Sequence, residues 1–358
     1  MSSDSGPKTA PAARPNAFHT IGGGRCGAVF HIEGSSKIVK VAKDTDSLAI
    51  RREFSTQMAT HQLLKHYQVG NVEIPHPAAY FPTGCMEHAQ FHAIWPQLAN
   101  AIKREGLPSN AQFLLAERIL PLREPIREAL IRRFCPEKFR ASTRTSPLNK
   151  DCLVPVYLGS ATRRDEDRES FSLRDFPLHL NELGEAGMGV ENIARGMGRA
   201  MAVMHWAVRY DGGGVKFVFG SKKVPHKLPD IDKYDSDPEV DSYIGPNVPF
   251  KAVDDLNAHE TRLFLIDFDQ AKPISMDEDG VRQAVAAIKE NGLYFPKACR
   301  KTKRECDVWK AFEGSYVVKS WEIINKERLG INIQRLPLLV MRGLIDWAEC
   351  EAAARGEA

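Results

Sequence analysis

The chain is short of paired cysteines, of long apolar runs and of any surplus of one charge. Its seven cysteines are scattered, with no Cys-x-x-Cys pair. That spacing argues against a zinc site and against a disulfide framework, and reduced thiols in a cytosolic or nuclear compartment are the expectation. No apolar stretch approaches the roughly 18 residues that a membrane span needs, and no signal-type hydrophobic run stands near the N-terminus, so neither spanning nor secretion is expected. Lys and Arg number 49 against 46 Asp and Glu, a formal charge of +3. No basic stripe is interleaved with stacking aromatics, so no nucleic-acid partner is expected. There is no internal repeat of useful length.

What is present is enough apolar residue for more than one ordinary core: 358 residues, 43% of them hydrophobic. One bilobal unit or two domains is the expectation. Residues 1–17 are rich in Ser, Pro, Ala and Gly without apolar periodicity, which predicts a disordered tail.

The chain is organised around Ile21-Gly22-Gly23-Gly24-Arg25-Cys26-Gly27-Ala28-Val29-Phe30. Gly22, Gly24 and Gly27 are spaced so that backbone N–H groups could approach a polyphosphate with no Cβ in the way. A dinucleotide-binding loop must open a helix, whereas Ala28 to Ile32 is β-branched and aromatic, so the glycines read as a hairpin tip. A turn at Glu33 to Ser36 leads to a third strand, Lys37 to Lys43, in which alternation puts Lys40 on the face of Ile38 and Ala42. A helix from about Leu48 to Tyr67 follows, capped by Asp46 or Ser47, with Ile50, Phe54, Met58 and Leu63 or Leu64 on its buried side and Glu53 as its only acid. Residues 74–82 make at best a short edge strand, 83–110 read as an insertion without strong order, and Phe113 to Pro121 reads as a strand leaving toward a connector.

Farther on, Glu124 to Arg144 is a basic, partly helical segment with ordinary solvated faces. Cys152 to Gly159 and Phe171 to Leu178 read as short extended pieces. Val190 to Val208 is the strongest helix, with Ile193, Met197, Ala200, Met201, Met204 and Val208 at the helical period; its methionines read as core, and His205 as a hydrogen-bonded structural histidine. A loop at Arg209-Tyr210-Asp211-Gly212-Gly213-Gly214 runs into a strand. Residues 221–260 read as a flexible insertion, whose acidic cluster near Asp230 to Asp237 lacks the glutamate and glycine of a calcium loop. An apolar strand then delivers Asp267-Phe268-Asp269.

This order of glycine loop, lysine, helical glutamate, loop aspartate and strand aspartate resembles the protein-kinase-like fold. From about Phe18 to Glu322 the chain looks like a fungal family of kinase-like proteins of unknown function, sometimes fused to zinc-finger segments. The resemblance rests on Gly22 to Phe30, Cys152 to Gly159, Leu173 to Leu178, Ala194 to Gly220, Leu265 to Ala271, Tyr294-Phe295-Pro296 and Trp309 to Tyr316. The short route from Asp267 to the next helix, with no Ala-Pro-Glu ending, is nearer to choline and aminoglycoside kinases than to protein kinases.

The resemblance implies an α+β bilobal fold: residues 18–122 as a small β-rich lobe with a hinge near 116–121, and 123–358 as a larger, mainly helical lobe. It implies ATP held by Gly22, Gly24, Gly27, Lys40 and Glu53, Mg2+ held by Asp267, and Asp211 as base toward a hydroxyl. The plainer readings are a glycine hairpin with a surface lysine, an exposed glutamate supporting Gln57 or an arginine, and a buried strand with a capping aspartate. Lys216 stands where kinase-like enzymes keep a metal-binding asparagine, and an ammonium cannot ligate Mg2+, though it could sit where a cation belongs. Two functions follow: an ATP-dependent phosphotransferase acting on a hydroxyl, or a pseudokinase serving as a binding or scaffold module, accessory to a fungal specialised-metabolite pathway. The partner is then a small molecule or a protein.

Overall fold

The structure, a computed structural model, describes residues 18–85, 96–161, 170–223, 259–298 and 302–354. The expected disordered tail and all but the ends of the expected insertion at 221–260 lie outside the described residues. The described architecture is mixed α and β, with an antiparallel sheet in a small N-terminal region and a mainly helical remainder. The chain divides into two compact units: Met1–Met58 with His76–Arg118, and Ala59–Pro75 with Ile119–Ala358.

In the first unit, β1 (Phe18–Gly23), β2 (Gly27–Ile32), β3 (Lys37–Ala42), β4 (Pro77–Phe81) and β5 (Phe113–Glu117) form one sheet in the order β1-β2-β3-β5-β4. Every pairing in it is antiparallel. Alternation puts Phe30, Val39, Val41 and Phe113 on one face of the sheet and Leu114 with Lys40 on the other, and all of these apolar residues are buried in one cluster with Ile50. The edge strand β4 opens at Pro77, where the missing N–H costs no ladder bond in the sheet centre.

One stretch departs from the sequence reading. Part of the span read as a weakly ordered insertion is a helix, α2 (Pro96–Arg104), which follows α1 (Ala49–His66) in chain order. Its Leu98, Ala101 and Ile102 are buried in the same cluster. Their i, i+3, i+4 spacing makes one apolar stripe, and the sheet supplies the surface that a helix this short needs.

The second unit holds the larger cluster. Two helices, α3 (Glu124–Phe134) and α4 (Glu137–Thr145), are separated by Pro136, which cannot continue α3. After the four-residue α5 (Pro147–Lys150) comes β6 (Val154–Tyr157). The piece read as extended at Phe171 to Leu178 contains instead a 3-10 turn at Leu173–Asp175, where the Ser172 hydroxyl accepts from Arg174 N. It ends in the two-residue β7 (Leu178–His179), and α6 (Leu180–Glu185) follows.

The long apolar helix is present as α7 (Val190–Val203), with Met197, Ala200 and Met201 fully buried. Its last turn widens into a π turn at Met204–Val208, closed by Arg209 in the left-handed region at φ 64°. Farther along the chain, β8 (Lys216–Lys223) and β9 (His259–Ile266) pair antiparallel over their whole lengths, with Lys216 opposite Ile266. The chain then runs through α8 (Glu278–Glu290), α9 (Lys303–Lys326) and α10 (Leu336–Ala354). Thr302 and Glu305 form a capping box that starts α9.

Candidate functional site

In the first unit, register brings two predicted residues together. Lys40 sits on β3 opposite Val29 of β2 and Leu114 of β5, the central position of the sheet. Glu53 lies one turn into α1. The Lys40 Nζ donates to Glu53 Oε1 at 2.8 Å and lies 2.7 Å from Oε2, a bidentate contact with both side chains more than nine-tenths buried. The reading of Glu53 as an exposed helix residue is thereby corrected. The buried stripe of α1 is more polar than its sequence suggests, since Glu53, Thr56, Gln57 and Thr60 are all buried while Phe54 and Met58 are half-buried.

The glycine hairpin turns through Gly24 N donating to Gly27 O. Gly27 is fixed by packing, because a Cβ there would stand 2.6 Å from Val41 O and 3.2 Å from Lys40 Cγ. The hairpin thus closes onto the stem of Lys40. At Gly24 a Cβ would meet nothing within 4 Å. Gly22 faces Val29 across the ladder, next to a register shift between Thr20 and Gly22. Lys43, which the sequence reading did not single out, donates to Gly24 O at 2.7 Å and steadies the hairpin tip.

In the second unit, the loop after the π turn is held from three sides. Asp211 is 4% exposed. Its Oδ1 accepts from Gly213 N and from Lys272 N, both at 2.9 Å, and its Oδ2 accepts from Gln283 Nε2 at 2.8 Å. Its backbone N–H donates to Lys272 O at 2.9 Å. Gly212 needs to be glycine, since φ is 70° and a Cβ would stand 2.5 Å from Met201 Cε. Asn291 Nδ2 donates to Gly212 O at 3.3 Å.

His205, in the π turn, joins this loop to α9. Trp206 Nε1 donates to Tyr316 Oη at 3.1 Å, and His205 Nδ1 lies 2.8 Å from the same oxygen. A backbone carbonyl only accepts, so the His205 nitrogen facing Asp211 O carries the ring proton, and Nδ1 of the neutral ring accepts from the Tyr316 hydroxyl, whose oxygen accepts from Trp206. His205 is therefore the Nε2–H tautomer, donating to Asp211 O at 3.3 Å. Burial drives its pKa from 6.5 down to about 4, against the opposing pull of the Asp211 carbonyl and charge. A hydrogen-bonded structural histidine is what the sequence reading expected there.

Asp267 follows the end of β9 in the left-handed region, at φ 63°. Its Oδ2 lies 2.8 Å from Lys216 Nζ, with the lysine side chain 48% exposed and the aspartate 28%. The charge of Asp267 also reaches Tyr294, whose phenol is pushed upward mainly by burial, with Tyr157 beside it. These tyrosines meet edge to face at 4.8 Å.

Magnesium does not fit this donor set. Mg2+ takes an octahedron of oxygens from one or two carboxylates, water and phosphate. Here the carboxylate faces an ammonium, which has no lone pair and repels a second cation. Among the described residues no group of three or more His, Cys, Asp or Glu side chains could hold a metal.

Residues 263–328 match a family model described as DUF3669, zinc finger protein. No curated protein matches the chain. The matched stretch runs from β9 through Asp267 and α8 to just past α9, so it contains one of the predicted site residues. It carries Cys299 and Cys306 and no histidine. A structural zinc takes four such ligands, so the stretch itself lacks the donors of a finger. The zinc-finger wording agrees with the segments sometimes fused to the family that the sequence resembles.

Gln283, Lys272 and Tyr294 escaped the sequence reading as site residues. Gln283 sits 72 positions from Asp211, in a helix whose pattern marks only its apolar stripe. Lys272 acts through its backbone, which no side-chain motif reports.

Proposed function

We propose that the chain is a kinase-like protein, built as a small β-rich lobe and a larger helical lobe, that keeps a phosphate-holding lysine and has lost efficient phosphoryl transfer. It serves as a nucleotide-responsive binding module for a small molecule or a protein. The carrying observation is the state of Asp211. A general base needs a lone pair that the hydroxyl can reach, whereas this carboxylate is buried, with three of its roughly four lone-pair positions taken by Gly213, Lys272 and Gln283. It pins the loop. Lys40 supports the nucleotide side of the reading, because its ammonium is oriented by Glu53 beneath the glycine hairpin.

The second reading is an ATP-dependent phosphotransferase acting on a hydroxyl, and the intact Lys40–Glu53 pair favours it. ATP binding by calorimetry, followed by ATP turnover in the parent and in Asp211→Asn, separates the two. The expected result is ATP binding, turnover at background in both proteins, and a loss of thermal stability in the variant. Turnover in the parent that Asp211→Asn abolishes would establish the base and overturn the binding-module reading.

A further inference from the structure

The pairing of Lys216 with Asp267 has no adequate account as a stabilising contact. Both side chains are partly exposed, and ion pairs of that kind contribute about 1 kcal/mol or less. Asp267 adopts a left-handed backbone, a conformation that Asp enters more readily than most residues with a Cβ, and that turn sets the direction of its carboxylate. Two features of the fold direct the contact. Lys216 opens β8 directly opposite Ile266, the last residue of β9, so the ladder places the lysine beside the next residue, Asp267. The left-handed turn at Asp267 leaves its carboxylate on the side of that lysine, at 2.8 Å.

We propose that the Lys216 ammonium is a built-in cation, standing at Asp267 in place of a divalent metal, so that any nucleotide is bound without one. This deepens the functional reading above and rests on it for the nucleotide. The physical basis is charge and exclusion. A single ammonium neutralises the carboxylate, and a divalent ion approaching Asp267 must either displace the lysine or bear its repulsion. An ammonium is a compact point charge that can also face a phosphate oxygen.

The test has two arms, both on the full chain. In the first, ATP affinity is measured with EDTA and with excess Mg2+, in the parent and in Lys216→Asn. The expected result is a parent affinity equal within about twofold in the two buffers, and a Lys216→Asn affinity that rises tenfold or more with Mg2+. A tenfold or larger Mg2+ dependence in the parent overturns the proposal while leaving nucleotide binding intact. In the second arm, Mn2+ alone is titrated and followed by its paramagnetic resonance. Mn2+ uptake gained by Lys216→Asn, and lost again in Lys216→Asn with Asp267→Asn, supports the proposal even if no ATP binds and the functional reading fails. Mn2+ uptake by the parent that Asp267→Asn removes overturns it.

Discussion

Lys40 and Glu53 are charges that burial would penalise singly, and the sheet and helix hold them only as a pair. Removing one partner of such a pair costs about 3–5 kcal/mol, because the other is left as an uncompensated buried charge. Lys40→Met and Glu53→Gln are therefore each expected to destabilise severely, while the double variant loses much less than their sum. The measurement is a double-mutant cycle by denaturant unfolding, and a coupling of about 1 kcal/mol or more is expected. Additive losses would show that the contact carries no energy of its own. Asp211 belongs to the same scale with a different chemistry: its partners are backbone and amide donors, so what it fixes is the path of the loop at Gly212 and Gly213.

At the scale of elements, the π turn after α7 turns His205 inward, where Tyr316 and the Asp211 carbonyl fix it neutral. The folded protein binds a proton at His205 only near pH 4, whereas the unfolded chain binds one near pH 6.5. Above pH 6.5 neither state is protonated there, and the full contribution of the buried neutral ring is present. As pH falls from 6.5 toward 4 the unfolded state takes up a proton that the folded state refuses, so stability drops, by up to about 1.4 kcal/mol per pH unit for this one group. His205→Gln keeps a side-chain amide able to donate and removes the titration. Its stability, measured by denaturant unfolding across this window, should fall less steeply with acid than the parent's. Parallel curves would mean that His205 does not titrate between the two states.

The elements also mark what could be read in advance. Glu53, the single acid of α1, came from the resemblance to the kinase-like fold, whereas alternation in β3 set the face of its partner Lys40, which is a local signal. The apolar stripe of α7 was legible for the same reason. Helix α2 was not, since its Leu98, Ala101 and Ile102 lie between Pro96 and the Gly106-Leu107-Pro108 break, and a stripe that short becomes a helix only on the sheet that receives it. Gln283 against Asp211 and Lys216 against Asp267 depend on ladder register and on a helix returning from far along the chain. The sequence offered Lys216 as a misfit at a ligand position, and only the β8 and β9 pairing gave that misfit a partner.

At the scale of the whole molecule, the two units carry separate apolar clusters of unequal size. The first unit's cluster gathers Phe30, Val39, Val41, Ile50, Leu98 and Phe113, while the second unit's runs through β6, α7, β8, β9, α8, α9 and α10. Burial scales with domain size, so the smaller unit retains less surplus over its conformational entropy. Cooperative units of unequal stability open at unequal free energies, and ligand-binding elements are drawn from the less stable end. Native-state hydrogen exchange should therefore show amides of β2 and β3 exchanging through an opening of lower free energy than amides of α7 and the middle of α9. Phe30→Ala, expected to cost about 3–5 kcal/mol, should lower protection in the first set and spare the second. Phe312→Ala, from the fully buried centre of α9, should lower protection in the second. If both variants reduced protection equally across all these amides, the chain would open as one cooperative body and the division of its stability between two cores would be wrong.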